Sequence, residues 1–406
     1  MVLGGTQAHV VLVEQLKARG YRVLLVDYLD SPPAARVADE HSRVSTLALD
    51  DVVALATQRK AALVIAACVD RANVTAAYVA ERLGLPAPYA FETAALIADK
   101  LKMKERLVAR GIPTARFVAL RSVEEAGRLP LPFPVVVKPI DTGGSKGVRK
   151  ASNPEELRSA VGEAFKATRA PAILIEAFLE GVEVGADCVV RDGSPHVLLL
   201  RRKYVMSGHD GEVLANYASV CPAIVSPAAE ARLRAATRDI AVAFGLRNTP
   251  LLVQFIVDGD DVHVIELAPR VGGGTNHRQV MLRTGVDIVD AAIDCYFGES
   301  PRLAVRHAAG FSATAHLYAH PGRFGEVRHD RELLTQGVID AFYTHKARGM
   351  PIGPSMSSSD RVASFIVSGE SGVALLRRIR EAVDCLDVVD DEGRSILRRD
   401  VYLRAL

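Results

Sequence analysis

Short apolar runs alternate with amphipathic stretches over the first ninety residues. Val2-Leu3 leads into Gly4-Gly5, an amphipathic helix is expected over 9–19, and an apolar strand over 21–26 ends at Asp27. A further buried strand is expected over 63–67, then a helix carrying Tyr78 and Leu83, then a stop in the Gly/Pro-rich turn at 84–88. This strand–helix–strand rhythm predicts a parallel sheet. A charged helix over 99–110 ends at the stop signals Gly111 and Pro113. From 117 to 179 the pattern changes to strands, a loop, a helix over 154–168 and a strand over 172–176, which is a small α+β unit. Longer runs over 183–191, 196–203, 251–258 and 262–267 read as antiparallel strands, and Val257-Asp-Gly-Asp-Asp261 is a hairpin turn signal between the last two. The final hundred residues read as another α+β piece, with strands near 314–318 and 362–367 and a helix over 373–383. There is no internal repeat and no low-complexity stretch.

At 406 residues, a guide of roughly 150 residues per domain gives two to three domains. The pattern places divisions at 1–113, 114–181, 182–300 and 301–406. With 49% apolar and 24% charged residues the chain can bury a large core and is not of disordered type. A net charge of +2 is too balanced for a nucleic-acid-binding or membrane-binding surface. Five cysteines, odd in number and without a C-x-x-C pair, point to reduced thiols and a cytoplasmic protein. No run of about 20 apolar residues is present to span a bilayer, and nothing reads as a signal peptide. Met1-Val2-Leu3 reads as the tail of a strand that has lost a few residues at its start. Oligomeric state is not legible; a homodimer is the commonest homo-oligomer.

Candidate chemistry enters at the strand Pro134-Val-Val-Val-Lys138-Pro139. It is followed at once by Asp141-Thr142-Gly143-Gly144-Ser145-Lys146-Gly147. A lysine at a strand end, beside backbone amides that glycine leaves accessible, is a polyphosphate cradle. It is not a Walker A loop, because no Gly-Lys-Ser/Thr opens a helix here. Gly4-Gly5 with Asp27 imitates a dinucleotide fingerprint, but Gly-Gly-Thr-Gln-Ala-His lacks G-x-G-x-x-G. A tight strand-to-helix turn is the plainer reading, and a dehydrogenase is disfavoured.

Four further elements lie in order along the chain: Asp99-Lys100, then Glu176-Ala177-Phe178-Leu179 with Glu183, then Gln254, then Glu266-Leu-Ala-Pro-Arg270-Val-Gly-Gly273-Gly274. With the lysine and glycine loop they resemble the ATP-grasp superfamily, of the ADP-forming carboxylate–amine ligase type. The resemblance implies an α/β fold in which an N-terminal parallel α/β domain precedes two α+β subdomains that sandwich ATP. It implies that Lys100 and Lys138 bind phosphate, and that Gly143, Gly144, Ser145 and Gly147 form a lid over the γ-phosphate. Backbone groups of Glu176, Ala177, Phe178 and Leu179 would meet the adenine edge, and Glu183 the ribose hydroxyls. Glu266, with Gln254, would hold Mg²⁺ (or Mn²⁺), and Arg270 would hold the acceptor carboxylate and the acyl phosphate. Weaker candidates for substrate contact are Gly5 and Thr6 at a helix N-terminus, His209, Gly273, Gly274 and His277.

The implied reaction activates a carboxylate as an acyl phosphate and joins it to an amine. Small-molecule carboxylate and amine substrates are the implied partners. Two departures from the pattern are Gln254, where an acid is common, and Ala268, where an asparagine is common. They leave open an ATP-binding regulatory protein without chemistry. Within the superfamily that the chain resembles, a bicarbonate- or formate-using enzyme of purine-synthesis type is the other alternative.

Overall fold

The computed structural model describes residues 1–206, 215–354 and 356–403. The parallel rhythm at the N-terminus forms a sheet of β1 (Val2–Leu3), β2 (Leu24–Val26) and β3 (Glu40–Ser42), all parallel. It is packed by α1 (Gln7–Ala18), α2 (Leu49–Gln58) and α3 (Asp70–Leu83). The strand expected over 63–67 is reduced to a single parallel bridge from Ile65 to Val2. Those residues are buried as expected, but β1 offers only two residues to pair with.

The helices α4 (Phe91–Ala98) and α5 (Lys100–Ala109) follow. Next is an antiparallel sheet in the order β4 (Phe117–Leu120), β7 (Ile173–Ala177), β5 (Val135–Pro139), β6 (Arg149–Ala151). One face is covered by α6 (Pro154–Ala167), whose N-cap Asn153 accepts the amides of Glu155 and Glu156 and whose first position is Pro154, both standard start signals. Val135, Val137, Ile173 and Ile175 pack under α6. Alternation sends Val136 and Lys138 to the opposite face.

Downstream, eight antiparallel strands form one sheet. The order is β12 (Asp261–Ala268), β11 (Thr249–Asp258), β8 (Val182–Arg191), β9 (Ser194–Met206), β10 (Ala215–Cys221), β13 (Phe311–Leu317), β17 (Ala363–Gly369), β15 (Ala341–Thr344). This sheet draws strands from both sides of residue 300. The hairpin expected at 258–261 is present, Asp258 pairing with Asp261. A third antiparallel set joins β14 (Gly322–Arg328) to β16 (Pro351–Ile352) and β18 (Asp387–Asp390).

Period-2 alternation makes the large sheet two-faced. Val184, Ala186, Cys188 and Val190 of β8 share one apolar core with Leu251, Val253, Phe255 and Val257 of β11 and with α7 (Pro227–Ala243). The opposite face carries Glu183, Gly185 and Asp187 of β8, with Gln254 directly opposite Gly185. On that polar side lie α8 (Asn276–Thr284) and α9 (Ile288–Tyr296), α8 against β9 and β13.

Candidate active site

The site is assembled where the polar face of the large sheet meets the uncovered face of the small one. On the small sheet, Val136 of β5 pairs with Glu176 of β7, so Lys138, two residues on, reaches Glu176 diagonally. Lys138 Nζ lies 3.0 Å from Glu176 Oε2. Lys104 of α5 descends onto the same oxygen at 3.1 Å and also donates to Thr114 Oγ1 at 2.7 Å. Lys104 is fully shielded from solvent and Glu176 nearly so, at 0% and 4% side-chain exposure. Burial pushes the Lys104 ammonium down to about 8, against the pull of Glu176. Burial opposes the charge of Glu176 too, yet Lys138 and Lys104 hold its carboxyl below the usual range. The other oxygen, Oε1, is buried with no hydrogen-bond partner among the described residues.

Asp99 caps α5 by accepting the amides of Leu101 and Lys102 at 3.0 and 3.1 Å. That cap fixes Lys100 in the first turn. Lys100 Nζ donates to the carbonyl of Thr142 and lies 3.3 Å from Glu266 Oε1. Lys100 and Glu266 line one pocket together with Asp70, Asp141, Thr142, Gly143 and Arg270. The glycine loop is rooted by Asp141, which accepts from Thr168 Oγ1 at 2.5 Å and from the Arg169 amide at 3.1 Å. Gly144, Ser145 and Gly147 all have positive φ, and Gly144 needs to be glycine twice over. Its φ is +65°, and a Cβ would sit 2.0 Å from Ser358 Oγ. The Ser358 amide donates to the Gly144 carbonyl at 3.1 Å, which docks the loop on the C-terminal part of the chain.

Gln254 and Glu266 are direct cross-strand partners. Lys203 of β9 passes over Gly185 and donates to both Glu183 Oε1 and Gln254 Oε1 at 2.5 Å. The side-chain oxygen of Gln254 is therefore already taken by an ammonium. Among the described residues no three His, Cys, Asp or Glu side chains form a metal cluster. Glu266 stands as a single carboxylate beside Lys100.

Arg270 is not idle. Its Nε and Nη2 make a bidentate pair with Asp70 at 2.7 and 2.8 Å, and Nη1 donates to the Val271 carbonyl. Burial works against both charges. Even so, the pairing holds the guanidinium above its ordinary pKa and the Asp70 carboxyl below its own. Tyr89 braces this end of the strand, donating to the Pro269 carbonyl at 3.0 Å.

Of the residues singled out in the sequence, Lys100, Gly143, Glu266 and Arg270 line one pocket, and Lys138 pairs with Glu176 on the small sheet. Of the stretch 176–179, the amides of Ala177 and Phe178 are already committed to the carbonyls of Arg116 and Pro134. Only the Leu179 amide has no partner among the described residues. The Glu176 side chain, expected at a hinge, is a buried bridge between two lysines. Gly5 and Thr6 do not line the pocket. Gly5 is packed so closely that a Cβ would lie 2.4 Å from Pro32 Cβ. Thr6 donates its amide to His9 Nδ1 at 3.2 Å, so the start of α1 is partly satisfied internally. Gly273 is open, whereas Gly274 and His277 turn toward the C-terminal strands. His209 lies outside the described residues.

Three side chains were missed. Lys104 carried a readable signal, one helical turn after Lys100 on the same face. Lys203 carried a weaker one, as a cation on the polar face of an alternating strand. Asp70 carried none, because its partner lies 200 residues away.

A model of the ATP-grasp domain matches residues 131–278. A D-alanine–D-alanine ligase of Hydrogenovibrio crunogenus is 30% identical over 216 residues, covering 52% of this chain and 67% of that protein. The carbamoyl phosphate synthase large chain of Clostridium acetobutylicum is 27% identical over 221 residues, covering 52% of this chain. The chain spans only 19% of that relative's length. Among solved structures, an L-amino acid ligase from Bacillus licheniformis superposes with a TM-score of 0.79 at 20% identity, over 96% of this chain and 98% of that one, which shows a shared fold.

Proposed function

The chain belongs to the ATP-grasp family, and on that premise we propose that it is an ADP-forming ligase that joins a carboxylate to an amine. The observation that carries this reading is the gathering of Lys100, Glu266, Arg270 and the glycine loop on one pocket. Lys104 and Lys138 both pair with Glu176 on the small sheet.

The residues suit a nucleotide. Lys104, Lys138 and Lys100 supply positive charge for a polyphosphate, and the loop amides can donate to the terminal phosphoryl oxygens. Two groups lack partners among the described residues, the buried Glu176 Oε1 and the amide of half-buried Leu179, and they match the donor and acceptor edges of a purine base. Glu183, beside Lys203, is the acceptor for ribose hydroxyls. For Mg²⁺ the fit is narrower. Glu266 suits an ion that takes most of its oxygen ligands from phosphate and water, and Gln254 is held by Lys203. The bound ion would neutralise charge on the transferring phosphoryl group.

In the reaction, a carboxylate oxygen attacks the terminal phosphorus, and ADP leaves with the electrons of the broken P–O bond. An amine nitrogen then attacks the acyl carbon. The C–O bond to phosphate breaks, inorganic phosphate departs, and the nitrogen sheds its proton. Lysine and arginine charges stabilise the transferring group, usually the largest catalytic contribution of such a site. Loop closure keeps water from the acyl phosphate. Asp70 orients Arg270 toward that oxyanion. We also place the protein in the cytoplasm, on its five unpaired cysteines and the lack of any helix, among the described residues, long and apolar enough to cross a membrane.

The test is an ADP-release screen of carboxylates against an amine panel, with bicarbonate and formate alone as controls. A carboxylate–amine pair should release ADP, and Glu266→Ala or Lys138→Ala should abolish release while the fold is retained. Release driven by bicarbonate or formate alone, or full turnover in either variant, would refute the reading.

A further inference from the structure

Beyond Gly274 the polar face of the large sheet holds a second group of side chains that the proposed chemistry does not use. His316 of β13 pairs across the sheet with Ser364 of β17. The Ser364 hydroxyl joins His316 Nδ1 at 2.8 Å to His345 Nε2 at 2.6 Å. Arg361 lies just before β17. It donates through Nε to Tyr318 Oη at 3.0 Å and through Nη2 to the Asn216 carbonyl at 3.3 Å.

Arg361 and His316 both border Gly274. A Cβ on that residue would lie 3.9 Å from Arg361 Nη1 and 4.0 Å from His316 Cε1. The ring of His277 lies beside the Gly274 backbone. His277 is only 6% exposed, and apart from this approach to the Gly274 backbone neither ring nitrogen makes a hydrogen bond of normal geometry among the described residues. Thr314, on the same strand face as His316, also has a buried hydroxyl without a partner.

The charges here do not balance. Arg201 is matched by Asp187 at 2.5 Å and Lys203 by Glu183 at 2.5 Å. Arg361 has no carboxylate within ion-pair distance among the described residues. The three imidazoles add no acid. Burial pushes His277 and His345 down to about 3 and His316 far below its usual range, so all three rings are neutral near pH 7. A sheltered guanidinium beside unpartnered polar groups calls for an anion with further hydrogen-bonding atoms.

We propose that this cluster is the subsite of the amine substrate, that Arg361 binds a carboxylate which the reaction leaves untouched, and that the amine substrate is therefore a free amino acid. The inference rests on the ligase reading and deepens it. The carboxylate that is activated belongs at Arg270 and the glycine loop. The second substrate lies across Gly272–274, four residues and a turn away. Its carboxylate is on Arg361, its remaining polar atoms meet His277 and Thr314, and its nitrogen points back toward the acyl phosphate.

The experiment compares free α-amino acids with their carboxamides, and with the corresponding amines lacking the carboxylate, as amine substrates of the unmodified protein with ATP and Mg²⁺. Free amino acids should couple, and blocking or deleting the carboxylate should lower kcat/KM by about tenfold to a hundredfold, as expected for losing a charge-assisted contact. Arg361→Gln should raise KM for the amino acid by at least about tenfold on the same basis and leave KM for ATP unchanged, and Arg361→Lys should recover part of the loss. If carboxamides couple as well as free acids, this proposal is overturned and the ligase reading stands. If no carboxylate–amine pair releases ADP, the ligase reading falls and this inference falls with it. The substrate comparison needs no variant, so a poorly folded Arg361→Gln protein does not decide the matter.

Discussion

Glu176→Gln is the sharpest perturbation of the site, because one oxygen holds two lysines. Glu176 Oε2 lies 3.1 Å from Lys104 and 3.0 Å from Lys138, and the three side chains are 4%, 0% and 11% exposed. At that depth neither salt nor water screens the pair. Removing the negative charge leaves two buried ammonium groups without a counter-charge. Breaking a buried pair in this way costs about 3–5 kcal/mol. The chain has no tryptophan, so the assay is urea unfolding followed by far-UV circular dichroism. An exposed control, Glu163→Gln, breaks a surface pair with Lys166 and should move nothing measurable. The pH dependence adds a second check. Lys104 is lowered from 10.5 to about 8, so above about 8 the folded state releases a proton that the unfolded chain keeps, and stability rises with pH toward the unfolded value. Glu176 holds the Lys104 pKa up against burial. In the variant the same rise therefore begins at lower pH, and its deficit narrows as pH climbs from neutrality. A loss below about 1 kcal/mol, well under the range for a broken buried pair, or a deficit that widens with pH, would show that Glu176 is not the counter-charge described.

Three further outcomes follow from the same geometry. Lys104 keeps its charge below about 8, so KM for ATP should be flat near neutrality and climb above that value; a profile flat well into the alkaline range would remove Lys104 from the phosphate site. Gly144→Ala places a Cβ 2.0 Å from Ser358 Oγ at φ +65°. The left-handed backbone alone costs about 1–2 kcal/mol, so the loop should become easier to cleave by protease and KM for ATP should rise, whereas unchanged digestion would mean the docking on Ser358 is immaterial. Asp70→Asn keeps the shape but removes the charge that orients Arg270, and should lower kcat/KM for the activated carboxylate by about tenfold, or ~1.4 kcal/mol. An effect confined to ATP would place Asp70 elsewhere in the mechanism.

What was legible in the sequence is what repeats locally. Alternation along β8 and β11 separates a core face from a polar face, and the turn at Gly259-Asp260 announces the β11–β12 hairpin that sets Gln254 opposite Glu266. The parallel rhythm of the first ninety residues held, although the segment around Ile65 contributes one bridge in place of a strand, and the polar Glu40–Ser42 gave no strand signal at all. The lysine of β5 and the glycine loop were visible because a β-branched run ending on a charge is unusual. Long-range pairings were not visible. Asp70 meets Arg270 only because α3 packs near the end of β12, and nothing around Asp70 in the sequence announces it. Lys104 shares a helix face with Lys100, but nothing local in the sequence announces the Glu176 carboxylate beneath it. The cluster of His277, His316, Ser364, His345 and Arg361 gathers side chains from α8, β13, β17 and the flanks of β15 and β17, and no local pattern joins them.

The large sheet has a consequence for how the protein can be handled. Its last three strands, β13, β17 and β15, complete a surface begun a hundred residues earlier, with Ala218 hydrogen-bonded beside Ala315 and Ser219 beside Thr314. Trimming the chain near residue 300 would strip the outer partner from β10 and bare a row of main-chain donors and acceptors. Such an open margin recruits other polypeptides, so the shortened product should precipitate or self-associate, and the tail cannot be discarded as an accessory.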